Sequence, residues 1–315
     1  MILITGGGGF IGLNLARELV DRDQTVLLVR RHSFQIPSFL SPYEGKQVIV
    51  AEGDLAEPAT LYRFIKSYDI DSIIHAAVVH ETSTGSSLYQ AMKVNLQGTA
   101  DILESARIFG LRRVTFLSSI TVYMPRKDSL KILHEDDDLP ASSSDWISGS
   151  KKAGEQICQL YIKEFNLSIA IVRPTQVWGP LYWTGRSPLK LMVENAIAGK
   201  PTDLTNMNVG IKSPYVYVRD CAKAICQVHL APSLKNNIYN ISDSESHSLE
   251  DFAQAIKEII PGTEIRLAEM KSPAPAAAIS MSIERLKEEM GYVPDYPLQR
   301  AVKTYIEWVR DGIYG

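Results

Sequence analysis

The chain has 315 residues, of which 45% are hydrophobic and 22% charged, and its formal net charge is −3 at pH 7. This length is sufficient for one large α/β domain and a smaller lobe, with an ample apolar core. A small negative charge without a long Lys/Arg run argues against a general nucleic-acid-binding protein. No apolar run approaches the roughly 18–20 residues that a membrane span requires, so no membrane association is expected.

The N-terminal sequence and the cysteines predict a cytoplasmic protein. The residues Met1-Ile2-Leu3-Ile4 run directly into a glycine-rich segment, without the basic region or cleavage site of a secretory signal. Cys158, Cys221 and Cys226 form no Cys-x-x-Cys pair and lie in helix-like stretches. This usage is typical of buried free thiols in a reducing compartment, and we expect no metal site.

Short apolar runs alternate with longer amphipathic segments through the first 180 residues. The apolar runs are largely continuous in hydrophobicity, as expected of strands buried on both faces, at Ile2–Thr5, Thr25–Val29, Gln47–Ala51, Ser72–Ala77, Arg113–Ser118 and Ser168–Arg173. Helices are predicted between them, among others at Ile11–Val20, Thr60–Ser67, Tyr89–Phe109 and Lys152–Glu164. The alternation predicts an α/β fold with a doubly wound parallel sheet and right-handed crossovers.

The pattern changes after Pro174, which predicts a second, smaller lobe. Further helices are expected at Leu189–Ala198, from Asp220 onwards, at Ser248–Ile260 with Ser248 as N-cap, and at about 282–290 and 297–311. A strand is predicted at Tyr215–Val218. We assign residues 1–176 and 215–240 to the large domain, and residues 177–214 and 241–315 to a discontinuous C-terminal lobe.

A glycine-rich segment lies between the first strand and the first helix. Its sequence, Thr5-Gly6-Gly7-Gly8-Gly9-Phe10-Ile11-Gly12, satisfies both Gly-x-Gly-x-x-Gly and Gly-x-x-Gly-x-x-Gly. Glycines allow the backbone to turn tightly and approach a pyrophosphate, which then lies at the positive N-terminus of the helix. In this strand–loop–helix context the segment predicts a Rossmann dinucleotide site, with contacts from Gly6, Gly9, Phe10, Ile11 and Gly12.

The residues after the second strand favour NADP as the cofactor. An acidic residue there would bind the adenosine ribose hydroxyls and repel a 2′-phosphate, but this chain has Arg30 and Arg31. Guanidinium groups pair with phosphate through two hydrogen bonds and stack on adenine. Because one or both arginines could simply face solvent, NAD stays as the alternative. Asp54, after the third strand, is placed to accept a hydrogen bond from the adenine amino group.

Further motifs follow in order along the chain. They are Gly53-Asp54-Leu55, Ile74-His75-Ala76-Ala77, Val94-Asn95-Leu96-Gln97-Gly98-Thr99, Leu117-Ser118-Ser119-Ile120-Thr121-Val122-Tyr123, Ser148-Gly149-Ser150-Lys151-Lys152-Ala153-Gly154-Glu155 and Arg173-Pro174-Thr175-Gln176-Val177-Trp178-Gly179-Pro180. Together with the glycine loop, these segments resemble the extended short-chain dehydrogenases/reductases, the epimerase/dehydratase family. The resemblance covers nearly the whole chain and implies a Rossmann domain with a substrate-binding lobe.

The resemblance also implies roles for individual residues. The cofactor contacts that it implies beyond the glycine loop and the arginines are Asp54, Leu55, Ala76, Ala77, Asn95, Lys151, Pro174 and Val177. In the family, a Lys holds the nicotinamide ribose and lowers the pKa of a nearby Tyr, and a Ser orients the substrate oxygen. Lys151 and Ser119 match the Lys and the Ser. Family members often dimerise through helices equivalent to 90–109 and 152–164, so we expect a homodimer.

The catalytic tyrosine of the family has no counterpart at the expected position. Four residues before Lys151, where the family has Tyr, this chain has Ile147. Hydride transfer creates or consumes an alkoxide, so a proton partner is required, and an aliphatic side chain cannot serve as one. Loss of a general acid/base typically reduces the rate by about 10²–10⁴, which does not abolish turnover and does not affect cofactor binding.

Three hypotheses account for this departure. In the first hypothesis, another group supplies the proton. His80 and Glu81 follow the fourth strand and Tyr123 follows the fifth, and ligands bind beyond the carboxyl ends of such strands. Each of these residues also has an ordinary interpretation as a solvated or packing side chain. Alternatively, the reaction is a non-redox dehydration, isomerisation or cyclisation. In the third hypothesis, the chain binds NADP without catalysis.

A second departure concerns the substrate. Family members that bind nucleotide sugars usually have an Arg two residues before the aromatic residue of the strand at Tyr215–Val218, whereas this chain has Ser213 with Lys212 adjacent. A lysine offers a point charge but not the bidentate fork that suits a diphosphate. Nearby aromatic residues suit a flatter or more apolar molecule, or they pack in the core or a lid: Trp178, Tyr182 and Trp183.

The sequence therefore predicts an NAD(P)-binding enzyme of the epimerase/dehydratase type with altered acid/base machinery. Its expected catalytic residues are Ser119, Lys151, His80 and Tyr123. The expected substrate is a small molecule with a hydroxyl or carbonyl group, such as a sugar or a natural-product intermediate. The alternative is a non-catalytic NADP-binding sensor or scaffold protein.

Overall fold

Largely apolar runs form the central parallel sheet, because strands covered by helices on both faces bury both sets of side chains. The computed structural model describes residues 1–30, 35–54, 57–80, 87–124, 132–182, 187–207, 211–268 and 279–312, with Arg30 described by its backbone alone. Seven strands of these residues form the sheet: β1 (Ile2–Thr5), β2 (Val26–Arg30), β3 (Val48–Glu52), β4 (Ser72–His75), β5 (Arg113–Leu117), β7 (Ile169–Pro174) and β11 (Ile238–Ile241). Their order is β11-β7-β5-β4-β1-β2-β3, and all neighbours are parallel.

Helices cover both faces of this sheet. One core cluster contains residues of α1 (Phe10–Val20) and α7 (Val218–Leu230). The other contains residues of α2 (Pro58–Ser67), α4 (Gly98–Phe109) and α5 (Trp146–Phe165). The prediction of a doubly wound α/β fold is confirmed, and each of the six predicted strands lies within two residues of its predicted bounds. The predicted thiols Cys158, Cys221 and Cys226 are free and buried.

The long helix predicted at Tyr89–Phe109 is divided into three pieces. These are α3 (Leu88–Met92), a π-helical segment (Lys93–Gln97) and α4, which ends at Gly110 with a φ of 63°. Single π-helical turns inside helices are frequent at functional sites. Asn95 lies in this segment with 5% of its surface exposed, so the widened turn coincides with a buried polar side chain.

Shorter strands and four further helices complete the described part of the fold. Three of these helices share a core cluster of their own, which we call the second lobe. The fourth, at Glu284–Met290, packs against the central sheet instead, because Ile283, Leu286 and Tyr292 belong to the core cluster of α1 and α7, although the sequence analysis assigned it to the second lobe. A three-stranded sheet consists of β8 (Gln176–Trp178), β10 (Ser213–Tyr217) and β12 (Ser246–His247), while β9 (Thr202–Leu204) pairs with β13 (Ile265–Leu267) and β6 (Ile132–Leu133) with β14 (Ser280–Met281). The helices are α6 (Pro188–Ile197), α8 (Leu249–Ile259), α9 (Glu284–Met290) and α10 (Leu298–Asp311). The predicted boundary at 214/215 falls inside β10, which pairs with β8 and β12 rather than with the central sheet. Among the described residues, no helix combines the length and apolarity needed to cross a membrane.

Candidate active site

The glycine loop between β1 and α1 requires its glycines for steric reasons. Gly6 has a φ of +67°, and a Cβ atom there would lie 2.9 Å from Cα of Ala77. A Cβ atom on Gly12 would lie 2.4 Å from the carbonyl oxygen of Gly6. Gly9 is the N-cap of α1 and no side chain caps the helix. This arrangement leaves the helix N-terminus close to the loop backbone, which suits an anionic group such as a pyrophosphate.

A buried polar network lies at the carboxyl ends of β1 and β4, next to this loop. Thr5 Oγ1 lies 2.7 Å from His75 Nδ1 and accepts the backbone N–H of Ala77 at 3.1 Å. His75 Nε2 lies 3.1 Å from Thr99 Oγ1 on α4. Burial and, to a lesser extent, the charge of Lys151 lower the pKa of His75 to about 3. The histidine is therefore neutral, and its two hydrogen bonds connect β4 to β1 and to α4 beneath the glycine loop.

Asn95 fixes the chain that follows β4. Its side chain accepts the N–H of Val79 at 2.8 Å and donates to the Val79 carbonyl at 3.0 Å. The same amide nitrogen donates to Ser150 Oγ on α5 at 3.3 Å. Asn95 thus joins the π-helical segment, the β4 exit and α5. Ala76 and Ala77, which were also predicted as cofactor contacts, are half-buried between His75 and this exit.

Lys151 lies on α5 with 7% of its surface exposed. Its Nζ donates a hydrogen bond to the carbonyl of Leu117 at the end of β5, and it lies 4.9 Å from the centre of the Phe116 ring. Burial lowers the pKa of Lys151 to about 8, against smaller opposing effects of Cys158 and Glu155. Ile147 is half-buried one turn earlier in α5, on the same face of the helix.

Ser119, the other predicted catalytic residue at this strand end, lies two residues after the end of β5. It is half-buried, and its hydroxyl accepts the N–H of Thr121, which caps a 3-10 helix (Ile120–Tyr123). Ser119 and Lys151 are therefore both at the carboxyl edge of the central sheet. Lys151 contacts the carbonyl of Leu117, the last residue of β5, and Ser119 comes two residues later in the chain. This is the edge at which open α/β sheets bind ligands.

Tyr123 is in a different environment from the one expected of a proton donor. Its side chain is fully buried, and its hydroxyl bonds Asn240 Oδ1 at 2.8 Å and accepts from Arg173 Nη1 at 2.8 Å. Burial raises the pKa of Tyr123 to about 12. A group that is inaccessible and committed to these partners is held in the fold rather than presented to a substrate.

A buried ion pair, which the sequence analysis did not identify, connects α5 to β7. Glu155 on α5 pairs with Arg173 on β7 through Nε–Oε1 and Nη2–Oε2 contacts of 2.9 and 2.7 Å. Ser118 at the end of β5 donates its hydroxyl to Glu155. The available signal was an arginine inside the otherwise apolar run of β7, which indicates a buried charge that needs a partner.

The remaining predicted residues lie along the same edge or outside the described residues. Asp54 is exposed after β3, and His80 is exposed after β4; both make contacts within the chain. Pro174 ends β7 and Val177 lies in β8. Arg30 ends β2, but its side chain is outside the described part of the chain, as are Arg31, Leu55, Glu81 and Trp183.

The aromatic residues considered for the substrate pocket have separate roles. Trp178 is 5% exposed and packs edge-on against Phe252 and Tyr217 in the core of the second lobe. Tyr182 packs edge-on against Phe10 in the first turn of α1, with ring centroids 5.1 Å apart. Lys212 pairs with Asp251 at 3.8 Å, and Ser213 begins β10. Of these aromatic residues, and within the described part of the chain, Tyr182 is the one next to the glycine loop.

The comparisons with known proteins agree with this architecture. The model of the NAD-dependent epimerase/dehydratase family matches residues 2–242. The dTDP-glucose 4,6-dehydratase of Neisseria gonorrhoeae is 24% identical, over 99% of this chain and 96% of its own length. The UDP-glucose 4-epimerase of Thermotoga maritima, solved with UDP-glucose, superposes with a TM-score of 0.83 at 19% identity over 99% of both chains. The dTDP-glucose 4,6-dehydratase of Bacillus anthracis, solved with NAD, superposes with a TM-score of 0.82 at 20% identity, over 98% of this chain and 96% of its own.

Since the family model spans well over half of the chain, this protein belongs to the NAD-dependent epimerase/dehydratase family. The relatives are epimerases and dehydratases, in agreement with the predicted enzyme of this type, and the chain has a Rossmann-like parallel sheet. The similar proteins named above act on sugar nucleotides.

Proposed function

We propose that this chain binds NADP at the glycine loop and acts on a small molecule with a hydroxyl or carbonyl group. The observation that carries the proposal is the position of Lys151 and Ser119 at the end of β5, on the same sheet edge as the glycine loop. In this arrangement Gly6, Gly9, Phe10, Ile11 and Gly12 hold the pyrophosphate. The further cofactor contacts that we propose are Asp54, Leu55, Ala76, Ala77, Asn95, Lys151, Pro174 and Val177.

The preference for NADP over NAD rests on Arg30 and Arg31. Two guanidinium groups after β2 favour a 2′-phosphate, and the sequence has no carboxylate at these two positions to repel it. NAD is the alternative, and it is the dinucleotide bound in the Bacillus anthracis structure. The test of this choice is the ratio of the two dissociation constants.

A bound nicotinamide supplies or accepts a hydride, and the protein must then manage the proton on the substrate oxygen. Ser119 donates a hydrogen bond to that oxygen, because its hydroxyl proton is available when its oxygen accepts the Thr121 N–H. Lys151 binds the ribose and adds positive charge beside the developing alkoxide. Ile147 fills space and excludes water at this position, but it has no proton to donate.

The proton donor is therefore another group, and the accessible candidate among the described residues is His80. His80 is exposed after β4, at the sheet edge where the substrate is expected, and an imidazole ring can both donate and accept a proton. Lys151 is the second candidate, because an amine with a pKa of about 8 exchanges protons near neutrality. We give Tyr123 no catalytic part, because its hydroxyl is buried and bound on both sides.

The substrate class is a sugar or a natural-product intermediate. Relatives such as the dTDP-glucose 4,6-dehydratase of Neisseria gonorrhoeae act on sugar nucleotides, which supports a polyhydroxylated substrate. Lys212, which pairs with Asp251, provides no bidentate fork for a diphosphate. We therefore favour a substrate that does not depend on diphosphate recognition.

The second candidate function is a non-catalytic NADP-binding sensor or scaffold. Ile147 favours it, because cofactor binding does not need the tyrosine that it replaces. Ser119 favours catalysis, since a pure binder has no use for a hydroxyl directed at a substrate oxygen. In either case we propose a cytoplasmic homodimer. The three reduced thiols support the location, and the 58% exposed Leu160 on α5 supports a subunit contact.

The experiment that tests the proposal follows NADPH fluorescence, first alone and then with a panel of carbonyl compounds and sugars. Binding with NADPH oxidation supports redox catalysis. Binding with product formation and no net oxidation, detected by mass spectrometry or NMR, supports epimerase or dehydratase chemistry. Tight binding without any turnover supports the sensor, and an absence of NADPH and NADH binding refutes the proposal.

A further inference from the structure

Two side chains of α5, one helical turn apart, hold two consecutive residues at the end of β5. Lys151 Nζ donates to the carbonyl of Leu117, and Glu155 accepts the hydroxyl of Ser118. The next residue is Ser119, which turns out of the strand and caps the 3-10 helix. We call Lys151, Glu155, Leu117 and Ser118 the β5 clamp. Its geometry fixes where α5 lies relative to the strand end that presents Ser119.

Glu155 is held in turn by Arg173 from the neighbouring strand β7. Both side chains are 3% exposed, and the bidentate contacts are 2.9 and 2.7 Å long. Arg173 Nη1 also donates to Tyr123 OH at 2.8 Å and to the Glu135 carbonyl at 3.0 Å. Four of the five guanidinium N–H groups are thus engaged, so the carboxylate cannot rotate away.

Stability alone does not account for this ion pair. Well-packed apolar residues can replace a buried ion pair without loss of stability, and often with a gain. The pair lies one turn from Lys151, and it directly contacts the residue before Ser119. The ion pair can hold Lys151 and the strand end before Ser119 in a defined orientation, which an apolar pair could not do.

Charge also links Glu155 to Lys151. The ionisable groups facing Lys151 are His75 from β4, and Glu155 and Cys158 from α5, with Arg173 from β7 behind the Glu155 carboxylate. Burial lowers the pKa of Lys151 to about 8, while Cys158 and Glu155 act in the opposite direction. Because burial raises the pKa of the Cys158 thiol, this thiol is neutral, and the Glu155 carboxylate is the negative charge that opposes the effect of burial on Lys151.

We propose that Glu155, oriented by Arg173, is a positioning residue of this site. It sets the place of the Lys151 ammonium and of the Ser119 hydroxyl through the β5 clamp, without touching substrate or cofactor. This inference deepens the function proposed above and rests on the same site.

The test measures the titration of Lys151 directly, in protein labelled with ¹³C at the lysine ε-carbon. The Lys151 resonance is assigned by its loss in K151R. The variants are E155Q, which removes one charge, and E155M/R173M, which replaces the pair with apolar residues of similar length. The control is E104Q, which removes the carboxylate of an exposed pair between Glu104 and Arg107 on α4.

We expect a wild-type midpoint of about 8. In E155Q the midpoint falls by about 1 pH unit, because a nearby negative charge has been removed while Arg173 keeps its positive charge. In E155M/R173M the midpoint also falls, but by less, because the positive charge of Arg173 is removed together with the negative charge of Glu155. In E104Q it stays at the wild-type value. NADPH affinity falls about tenfold in E155Q, as expected from a displaced charged hydrogen bond.

A purely structural pair would lower the thermal unfolding midpoint and leave the lysine titration unchanged, and that result overturns the proposal. Because loss of one buried partner can prevent folding, E155M/R173M decides the matter if E155Q is unfolded. Unfolding of both variants assigns the pair to stability and also overturns the proposal. The titration needs no dinucleotide, so a wild type that binds neither NADPH nor NADH refutes the proposed function while the role of Glu155 is still measured.

Discussion

Thr5 Oγ1 and His75 Nδ1 lie 2.7 Å apart, and this buried contact joins β1 to β4 at the residue before the glycine loop. The donors of the network can be assigned from its ends. Thr99 Oγ1 uses its proton on the Asn95 carbonyl at 2.7 Å, so it accepts from His75 Nε2. His75 Nδ1 then accepts the proton of Thr5, whose oxygen accepts the Ala77 N–H. This chain of bonds is satisfied by a neutral imidazole protonated at Nε2.

The first prediction is that His75 is in the Nε2–H form across the neutral range. Long-range ¹H–¹⁵N correlation spectra of histidine-labelled protein should show an unprotonated Nδ1 for His75, with no titration between about pH 5 and 8. The resonance is assigned by its absence in H75N. A protonated Nδ1, or a doubly protonated ring at neutral pH, would contradict the assignment.

The second prediction concerns stability at acidic pH. Burial lowers the pKa of His75 and of His229 from 6.5 to about 3. Below 6.5 the unfolded chain takes up protons that the folded protein does not, so the free energy of unfolding falls as the pH falls from 6.5 towards 3. The expected slope is about 1.4 kcal/mol per pH unit for each histidine. Burial raises the pKa of Asp220 from 3.8 to about 6, and this partly offsets the loss below pH 6.

Substitution of one histidine tests this slope. For H229N, the free energy of urea unfolding is measured between about pH 4.5 and 7. Its slope against pH should be smaller than in the wild type by the contribution of one proton taken up on unfolding. The control is I225V, a change in the fully buried Ile225 that lowers stability without removing a titrating group. An H229N slope equal to that of I225V would be inconsistent with a buried neutral His229.

The third prediction compares a glycine that the loop geometry requires, Gly12, with a helical glycine that has free space around it, Gly98. G12A should lose dinucleotide binding, because its Cβ atom would lie 2.4 Å from the Gly6 carbonyl oxygen and 2.7 Å from Gly7 Cα. G98A is the matched control: a Cβ atom on Gly98 meets nothing within 4 Å. G98A should bind normally and gain about 0.5–1 kcal/mol of stability, since alanine favours the helix. NADPH fluorescence and urea unfolding measure both effects, and normal binding by G12A would count against the proposed pyrophosphate site.

Much of the central sheet and the helices α6, α8, α9 and α10 could be predicted from the sequence, but the short strands outside the central sheet could not. The buried parallel strands are largely apolar runs, and Ser248 was predicted as the N-cap at which α8 shows a capping box with Asp251. Strands of two or three residues, such as β9, β12 and β14, are too short for any hydrophobic period. The same limit explains why the lobe boundary was placed inside β10.

The active site was predictable where a local spacing defines it. Ile147 and Lys151 were identified by their spacing of four residues, but the predicted helix began at Lys152, and only the structure, in which α5 begins at Trp146, places Ile147, Lys151 and Glu155 on one helical face. The partner of Glu155 was not predictable, because Arg173 comes from another element and the pairing depends on how α5 packs on β7. Tyr123 shows the opposite limit: its position after β5 suggested access, and only packing reveals that its hydroxyl is bound by Arg173 and Asn240.

The fourth prediction concerns cofactor choice. Replacing both arginines in R30Q/R31Q should weaken NADPH binding by about 10–100-fold, because a charged hydrogen-bonded contact to phosphate is lost. NADH affinity should change little. Isothermal titration with both cofactors gives the ratio directly. Equal losses for NADPH and NADH would indicate that these arginines do not recognise a 2′-phosphate.

The fifth prediction restores the missing phenol. I147Y places a hydroxyl one turn before Lys151 on the same face of α5, where the ammonium can lower the phenol pKa. With a substrate that the wild type reduces slowly, NADPH oxidation should rise by about 10²–10⁴, the usual effect of a general acid. I147F adds the same ring without the hydroxyl and controls for the larger side chain at this half-buried position. If I147Y and I147F bind NADPH equally well and turn over at the same rate, the isoleucine is not the cause of slow proton transfer. The proton then comes from a different part of the site, and His80 becomes the residue to replace.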